Sequence, residues 1–379
     1  MLRIAVLKEK HADERRVAAT PETTKKMVEM GLKVVIEKGA GLEAHFSDEA
    51  YKDAGAELAK DTATALKGAN IVLTVQDPLM RDYKAEELST LPSGCHLIGM
   101  LNPLTNPGMV PLYAKQGVNA FSIELLPRIT RAQTMDVLSS QSNLAGYRAV
   151  IEAAAEYGHA FPMMMTAAGT IPPTRVLVLG AGVAGLQAIA TARRLGAIVS
   201  AFDVRKAAKE QVESLGASFI EVEALEDAET KGGYAKETSK EYQKLQAEKI
   251  HDSVKKNDIV ITTALIPGRP SPILITEAMV KDMKPGSVIV DLAAVAGGNC
   301  ALTEPGEVIL KHHVKIIGHK NTLNNIATDA SALYARNILS FLKLLIDPTG
   351  AIHVNLEDEI ITSTLLTYKG QVIHDTFKS

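Results

Sequence analysis

Three glycines in the middle of the chain have the spacing of a nucleotide-binding turn. Gly180, Gly182 and Gly185 follow the apolar run RVLVL and open a helical pattern that begins at Val183. Such glycines let the backbone approach a pyrophosphate, whose charge the helix N-terminus stabilises. The pattern G-x-G-x-x-G alone is a weak signal, but strand, helix, second strand and terminal acid are all in place here. The spacing predicts a dinucleotide site, and the alternative is a glycine-packed turn without a ligand.

The terminal acid of this motif is Asp203, at the end of the next predicted strand. Its carboxylate would accept hydrogen bonds from the adenosine ribose hydroxyls, and its charge would repel a 2′-phosphate. Both properties favour NAD(H) over NADP(H). Arg205 is an opposing signal, because a guanidinium so close to Asp203 could bind that phosphate. We expect Asp203 to decide the preference, with Val204 and Arg205 as neighbouring cofactor contacts.

Further candidate contacts end the strands that follow. Thr262–Leu265 lie at a carboxyl edge, where a dinucleotide crosses a parallel sheet, and a cofactor contact is favoured there for Ala264 and Leu265. Asp291 and Gly297–Asn299 follow the next strand, and we expect them to shape the nicotinamide side.

The sequence does not indicate a metal site. Cys95 and Cys300 stand far apart, without His or Cys at metal-ligand spacing, and are predicted to be buried free thiols. His312, His313 and His319 surround a late strand without carboxylate or cysteine partners in the pattern. We therefore expect that no metal is bound.

The elements that position these residues alternate between strand and helix. Predicted strands run from Leu2–Leu7 to Asn119–Glu124 in the first half of the chain and resume at Arg175–Leu179. Between them a long helical pattern, Asn143–His159, is interpreted as an interdomain connector, and the Met163–Met165 run as core or interface packing. The order β-α-β-α predicts an α/β fold with two doubly wound parallel-sheet, Rossmann-like domains.

The C-terminal tail completes the first domain in this interpretation. After Asp329 a helix to about Leu345 precedes a predicted hairpin, Ile360–Thr367 and Gln371–His374. This tail is too small to fold alone and should pack on the first domain. The cofactor domain is then an insertion. The predicted limits are 1–138 plus 328–379 for the N-terminal α/β domain and 139–327 for the Rossmann NAD(H)-binding domain.

Composition excludes several classes of partner. A chain of 379 residues with 46% hydrophobic and 22% charged residues is typical of a folded protein with two domains. Its 41 basic and 44 acidic side chains give a formal charge of −3, so no basic face for nucleic acid is predicted. The most apolar stretch, Val176–Ala192, falls short of the ~20 continuous apolar residues that span a bilayer. We expect a protein soluble by itself, with any membrane connection made through a partner.

Three segments together resemble a known family. They are PRITRAQTMDVLSSQSNLAGYRAVIEAA from Pro127, FPMMMTAAGTIPPTRVLVLGAGVAGLQAIATARRLGA from Phe161, and ITTALIPGRPSPILIT from Ile261. With KPGSVIVDLA and AGGNC they resemble the NAD(H)-binding subunit of proton-translocating nicotinamide nucleotide transhydrogenase, in the alanine dehydrogenase/transhydrogenase superfamily. The resemblance runs from RVAATPE near Arg16 to the tail, essentially the whole chain.

The resemblance implies roles for a loop before the long helix. In the family an arginine, a glutamine and an aspartate orient the nicotinamide, and they match Arg128, Gln133 and Asp136 here, with Ser139 beside them. Hydride transfer needs the two rings face to face, so these residues would position the ring without acting as acid or base. The alternative is an exposed interdomain loop, which we expect to be the only role of Arg131.

A second segment implied by the resemblance is a mobile loop. Gly232–Lys236 match a Gly-Gly-Tyr-Ala-Lys loop that closes over bound NAD(H) and contacts the NADP(H)-binding partner, so Gly233 and Tyr234 are candidate cofactor contacts. Without the resemblance this segment is a solvated loop ahead of an amphipathic helix, Lys240–Val254.

The resemblance also implies an assembly. The chain would pass hydride between its NADH and NADP⁺ on a separate NADP(H)-binding component, coupled to proton movement in a membrane-embedded component. We expect a homodimer that is cytoplasmic and peripheral to the inner membrane through its partner subunit. Because no spanning segment is present, a split-subunit enzyme is expected.

Two rival functions remain at this point. Alanine dehydrogenases hold pyruvate with an arginine and a lysine, and use a histidine and an aspartate near the nicotinamide. Arg16 fits the arginine, but Gln76 stands in the place of the lysine and Val295 in that of the aspartate. The position expected for the histidine falls near Met100, and His96 is close by in the sequence. Oxidative deamination needs a base and a polarising cation, so the transhydrogenase is favoured. The non-enzyme rival is an NAD-sensing binding module.

Overall fold

The chain folds as two compact units. A computed structural model describes residues 1–78, 90–222, 239–266, 268–347 and 349–378. One unit comprises Met1–Gln141 and Leu323–Ser379, and the other comprises Ser142–Thr322. The domain limits expected from the sequence, 1–138 plus 328–379 and 139–327, stay a prediction.

Six parallel strands form the sheet of the first unit, in the order β3-β2-β1-β4-β5-β6. They are β1 (Arg3–Val6), β2 (Lys33–Glu37), β3 (Glu57–Ala59), β4 (Ile71–Gln76), β5 (His96–Met100) and β6 (Asn119–Ser122). The strand order reverses beside β1, as in a doubly wound fold. The short strand β3 was not predicted, because three residues are too few to show an alternating pattern.

Helices α1 (Pro21–Glu29), α2 (Asp48–Asp53), α3 (Thr62–Leu66) and α4 (Met109–Gln116) accompany these strands. Helix α1 begins where predicted, since Thr20 accepts a hydrogen bond from the backbone N–H of Thr23 and Pro21 occupies the first turn. The long helix α5 (Val137–Glu156) begins before the predicted Asn143, because the two serines of its first turn follow Asp136 into the helix.

Two short strands, β7 (Met164–Thr166) and β8 (Gly169–Ile171), form a separate hairpin that precedes the second large sheet in the chain. Of the two alternatives for the Met163–Met165 run, core packing is wrong, because these side chains are 59%, 45% and 77% exposed, and interface packing stays a prediction. Apolarity alone does not distinguish a buried run from an exposed hairpin.

The second unit contains a seven-stranded sheet in the order β11-β10-β9-β12-β13-β15-β14, parallel except for the edge strand β14. Its strands are β9 (Arg175–Leu179), β10 (Ile198–Phe202), β11 (Ser218–Phe219), β12 (Ile259–Thr262), β13 (Val288–Asp291), β14 (Val308–Lys311) and β15 (Val314–Ile317). Its helices after α5 are α6 (Val183–Arg194), α7 (Ala208–Ser214), α8 (Lys240–Val254) and α9 (Glu277–Lys281). The two sheets confirm the predicted fold class. In the second sheet the direction of the strand order reverses between β9 and β12.

The C-terminal segment returns to the first unit as α10 (Ala327–Leu345), α11 (Glu359–Thr364), β16 (Thr367–Tyr368) and β17 (Gln371–Val372). The predicted strand Ile360–Thr367 is wrong over its first five residues, which belong to α11. Asp358 caps this helix through the backbone N–H of Ile360, and Thr364 donates to the carbonyl of Ile360. The β-branched run predicts a strand by propensity, but the cap and the burial of Ile360 and Ile361 decide for a helix.

The core of the first unit depends on this returning segment. Tyr334 and Phe341 of α10 are buried in the same cluster as the strand residue Phe121, whose ring centroid lies 5.6 Å from that of Phe341. The sheet of the second unit is likewise covered on both faces by two buried clusters. Burial on both faces explains why the strands read as near-continuous apolar runs.

Candidate nucleotide-binding site

The glycine turn after β9 has the geometry that a pyrophosphate requires. Gly180 has a φ of +99°, and a Cβ there would lie 2.6 Å from Oγ1 of Thr263. A Cβ at Gly185 would lie 1.8 Å from the carbonyl oxygen of Gly180, so only glycine lets α6 pack this closely on the turn. A Cβ at Gly182 would meet no atom within 4 Å, which leaves open space at the N-terminus of α6. Tight turn, close packing and open approach are the three tasks of this motif.

Asp203, directly after β10, is tied to that turn. Its Oδ2 accepts a hydrogen bond from the backbone N–H of Ala181 at 2.7 Å. Its Oδ1 accepts from the backbone N–H and from Nε of Arg205, both at 2.9 Å, and Nη2 of Arg205 donates to Oδ2 at 2.8 Å. The guanidinium charge is therefore paired with the carboxylate beside it, at side-chain exposures of 18% and 7%.

The carboxyl ends of β12 and β13 are held by side-chain hydrogen bonds. Oγ1 of Thr263 donates to the carbonyl of Gly180 at 2.9 Å, and Oγ1 of Thr262 donates to Oδ1 of Asp291 at 3.0 Å. Buried Asp291 also accepts hydrogen bonds from three backbone N–H groups and one hydroxyl, those of Ala293, Asn299, Cys300 and Thr303. Asp291 therefore organises the loop after β13 from within.

Apolar side chains lie exposed at the same edge of this sheet. Val183, on the first turn of α6, and Leu265, just beyond β12, are 41% and 48% exposed, and Val204 is half-buried next to Asp203. Between Thr263 and Leu265 both backbone polar groups of Ala264 bind the side chain of Asn299. The predicted residues of the second unit therefore cluster around one glycine turn, except for Gly233 and Tyr234, which lie outside the described residues. The helix predicted after them, Lys240–Val254, is confirmed.

The loop before α5 belongs to the first unit. Its residues Thr130–Met135 form 3-10 turns, and Arg128 and Gln133 have exposed side chains. Asp136 accepts hydrogen bonds from the backbone N–H and the hydroxyl of Ser139, at 2.9 and 2.6 Å, and so caps α5.

Arg131 has a contact that was not expected of an exposed loop residue. Its Nη2 donates to both carboxylate oxygens of Asp358, at 2.6 and 2.8 Å, although the arginine side chain is 62% exposed. This ion pair ties the loop to the N-terminus of α11.

A buried polar network occupies the first unit near the carboxyl ends of β1 and β4. Nε and Nη2 of Arg16 donate to the two oxygens of Glu14 at 2.7 and 2.6 Å, and Nη1 donates to Gln141 at 2.8 Å. The amide of Gln76 donates to Glu14 at 3.0 Å and accepts from Asn102 at 3.2 Å. Burial acts to raise the pKa of Glu14, but the charge and hydrogen bonds of Arg16 outweigh it and lower this pKa. Glu14 and Arg16 therefore form a neutral pair.

Sequence reasoning missed two acids of this region, Glu9 and Glu14. Burial raises the pKa of Glu9 to about 8, although its carboxylate accepts hydrogen bonds from the backbone N–H groups of Val75 and Gln76. The available signal for Glu9 was its position shortly after β1, a buried strand whose carboxyl end faces the crevice of the sheet, and Glu14 lies further along the same loop.

The residues weighed for amino-acid dehydrogenation are not assembled as that chemistry needs. His96 begins β5, whereas Gln76 ends the neighbouring strand β4, so the histidine lies at the opposite edge of the sheet. Its ring nitrogens contact the carbonyl of Asn70 and the amide of Asn119. Val295 is 64% exposed and offers no acid or base.

Within the residues that the structure describes, no three His, Cys, Asp or Glu side chains are grouped so that they could hold a metal ion. Both cysteines are free and buried, as predicted, and burial raises the pKa of the Cys95 thiol to about 12. Among the helices of the described ranges, none combines the length and the apolar character that a membrane crossing requires.

These features define a nucleotide-binding α/β protein of the doubly wound class. Residues 5–145 match the family described as "Alanine dehydrogenase/PNT, N-terminal domain", and residues 149–375 match "Alanine dehydrogenase/PNT, C-terminal domain". The chain belongs to the alanine dehydrogenase/PNT family, and the resemblance inferred from the motifs is confirmed.

Relatives within the family differ in how closely they match. The chain is 54% identical over 376 residues to an NAD(P) transhydrogenase subunit alpha polypeptide of Rhodospirillum rubrum, with 98% of each chain covered. A solved transhydrogenase structure from Sinorhizobium meliloti superposes with a TM-score of 0.88 at 49% identity, covering 98% of this chain and 100% of the other. Alanine dehydrogenase of Bacillus subtilis is 30% identical over 303 residues, 78% of this chain and 71% of the relative. The similarity to transhydrogenase subunits is therefore greater in both identity and extent.

Proposed function

We propose that this chain is the NAD(H)-binding subunit of a proton-translocating NAD(P) transhydrogenase. One observation carries the proposal: a complete dinucleotide turn is combined with uncharged residues, Gln76 and Val295, where amino-acid dehydrogenation needs a cation and an acid. The full-length similarity to a transhydrogenase subunit alpha supports the same function. Binding of a pyridine nucleotide, without distinction between NAD(H) and NADP(H), follows from membership of the family.

The preference for NAD(H) rests on the pairing of Asp203 with Arg205. A phosphomonoester carries about −1.5 to −2 charges at neutral pH. Since Asp203 neutralises Arg205, such a group would meet an ion pair of zero net charge whose carboxylate is held by the backbone N–H of Ala181. Ribose hydroxyls carry no charge, and they could donate to the carboxylate in place of the side-chain donors of Arg205, which now share its lone pairs with two backbone N–H groups. The pairing therefore supports NAD(H) and counters the opposing signal of Arg205.

Positioning is the chemistry that the residues of the first unit would supply. Bound NADH would provide a hydride for direct transfer to NADP⁺ on a partner component. Arg128 and Asp136 would hold the carboxamide and its surroundings, with Asp136 kept in place by Ser139. Exposed Gln133, an uncharged donor and acceptor, would bridge toward the second nucleotide. None of them would act as an acid or a base, so correct placement would be their whole contribution.

Charge argues against the alanine dehydrogenase alternative. Pyruvate brings a carboxylate, which needs an unmatched cation when it is buried. Glu14 already neutralises Arg16, and the amide of Gln76 adds a hydrogen bond to Glu14 but no charge. A lysine at position 76 would supply the missing positive charge. Within the described hydrogen bonds of this network, the charge of Arg16 is therefore balanced by Glu14 and not by a substrate carboxylate such as that of pyruvate.

The proposed assembly contains other subunits, as the name of the Rhodospirillum rubrum relative implies for that protein. We propose an NADP(H)-binding component and a membrane-embedded proton-translocating component as partners, with this chain cytoplasmic and peripheral to the inner membrane. The exposed side chains of the β7–β8 hairpin, Met163, Met164, Met165 and Ile171, support a homodimer, because an apolar hairpin of this kind favours association.

One experiment distinguishes the candidate functions. The protein is mixed with an NADP(H)-binding transhydrogenase component, and single-turnover hydride transfer from NADPH to an NAD⁺ analogue is recorded. Gly182→Val is expected to abolish nucleotide binding and transfer, because the side chain fills open space without disturbing the fold. The matched control is Gly108→Val, where a Cβ also meets no atom within 4 Å, and transfer should persist.

Two other outcomes would contradict the proposal. Nucleotide binding without transfer in the mixed complex would indicate a binding module. Oxidation of NADH with pyruvate and ammonia at ordinary enzyme turnover would indicate an alanine dehydrogenase.

A further inference from the structure

Asn299, after β13 in the second unit, is fully buried, and its amide is completely engaged. Its Oδ1 accepts a hydrogen bond from the backbone N–H of Ala264 at 3.0 Å. Its Nδ2 donates to the carbonyls of Ala264 and Pro272, at 2.9 and 2.8 Å. An asparagine amide has two donor hydrogens and one carbonyl oxygen, so this side chain is satisfied by backbone alone.

The backbone of Asn299 adds contacts to β13 and to the segment before α9. Its N–H donates to Oδ2 of Asp291 at 2.8 Å, and its carbonyl accepts from the N–H groups of Leu274 and Ile275, at 2.8 and 3.0 Å. One residue thus links the loop after β13, the segment before α9 and the chain leaving β12. A buried network in which every member is satisfied is rigid.

These hydrogen bonds determine how Ala264 can contact a bound cofactor. Both backbone polar groups of Ala264 bind Asn299, so the N–H is not available to a bound cofactor and the direction of the carbonyl is fixed. On one side Thr263 donates to the carbonyl of Gly180, and on the other Leu265 is 48% exposed. The amide of Asn299 therefore holds the backbone that directly precedes the exposed Leu265.

The sheet order indicates which half of the dinucleotide lies there. Asp203 follows β10, on one side of the turning point between β9 and β12, and Ala264 follows β12 on the other side. A dinucleotide crosses a doubly wound sheet at this point, with its adenosine ribose at the acid. The nicotinamide half therefore lies on the β12 and β13 side.

We propose that Asn299 is a positioning residue for the nicotinamide half of the bound dinucleotide, acting through a two-point amide clamp on Ala264. The inference rests on the proposed function and adds a residue to it. Loss of the clamp would let the segment Ala264–Leu265 move by a fraction of an ångström or more, and the reacting ring with it. Misplacement by about 1 Å can cost ~10²-fold in rate.

Asn299→Asp tests the clamp at constant size, because an oxygen replaces the Nδ2 that donates to Ala264 and Pro272. We expect affinity for ADP-ribose, which lacks the nicotinamide, to stay within about 3-fold, while NADH binds ~10-fold more weakly and transfer slows by ~10²-fold. The control is Asn257→Asp. Asn257 is buried in the same unit, donates to the carbonyl of Ser253 at 2.8 Å and precedes the amino end of β12. Its loss should leave all three quantities within about 3-fold.

Equal losses for ADP-ribose and NADH, or unchanged transfer, would overturn the assignment of Asn299. If Asn299→Asp does not fold, Asn299→Ser is measured in the same way, since it removes the clamp without introducing a buried charge. A failure of the proposed function is distinct, because the unmodified chain would then not transfer hydride in the mixed complex.

Discussion

Asp203→Asn is expected to shrink the preference for NADH over NADPH and to reveal the charge of Arg205. The unmodified carboxylate accepts hydrogen bonds from Ala181 and Arg205, and ribose hydroxyls could replace the side-chain donors of Arg205 on it. In the variant, an amide with one acceptor oxygen must replace two acceptor oxygens, and its NH₂ group faces an N–H donor. The guanidinium then loses its counter-charge at a site where only 18% of the arginine side chain is exposed.

The size of the effect follows from the bonds removed. Hydrogen bonds to a charged group contribute about 1.5–3 kcal/mol each, and about 1.4 kcal/mol corresponds to tenfold in affinity. Loss of one ribose contact therefore predicts NADH binding weaker by about tenfold or more. NADPH should bind as well as before or better, because its 2′-phosphate meets an unpaired Arg205. The ratio of the two affinities should fall by at least about tenfold.

Titration by nucleotide fluorescence suits this chain, because it contains no tryptophan to contribute a background signal. Asp203→Asn, Arg205→Gln and the double variant are titrated with NADH and NADPH, and the coupling of the two changes gives the effect of the ion pair. Equal affinities for both nucleotides in the unmodified protein would refute the reasoning, because Arg205 would then govern the pocket. An unchanged ratio in Asp203→Asn would refute it equally.

Three further predictions concern the first unit. Gln133→Asn should leave NADH affinity within a few-fold but slow single-turnover transfer in the mixed complex ~10²-fold, since the shorter side chain withdraws its amide from the reacting nucleotides; equal losses in both measurements would reduce Gln133 to a binding residue. No alanine dehydrogenase activity is expected with pyruvate, ammonia and NADH, because Gln76 brings no charge to the neutral pair of Glu14 and Arg16; turnover in that assay would contradict the charge argument. Burial raises the pKa of Glu9 from 4.5 to about 8, so folding favours its protonated form. The free energy of unfolding should therefore fall as pH rises from about 5 to 8, by at most roughly 1.4 kcal/mol per pH unit. In urea titrations the free energy of unfolding of Glu9→Gln should depend less on pH, and the same pH dependence in both proteins would refute the assignment.

Elements with a strong local signal could be predicted from the sequence. Strand Arg175–Leu179 and the helix from Val183 have the predicted starts, because a continuous apolar run ends at glycines whose spacing admits few conformations. The same is true of Thr20 and Pro21 at the start of α1. Here the residues that decide the structure are neighbours in the chain.

The remaining features depend on residues that are distant in the chain or on side-chain direction. Asn299 and Ala264 are brought together only by the pairing of β12 with β13. The ion pair of Asp203 with Arg205 depends on which way a guanidinium turns after β10, and no periodicity encodes that direction. The helix at Ile360 has the composition of a strand, and its burial against the first unit decides the outcome.

The interrupted order of the first unit has a consequence for biosynthesis. The second unit, Ser142–Thr322, is continuous and can fold as soon as it leaves the ribosome, whereas the first unit lacks α10 until later. At about 5–20 residues per second, on the order of 10 s or more separates the first unit's early strands from Tyr334 and Phe341, which complete their core. During that interval the sheet presents an uncovered apolar face to water and to chaperones. A chain that ends at residue 322 and has been released from the ribosome should therefore be bound by chaperones through its first unit, while its second unit is protected from protease.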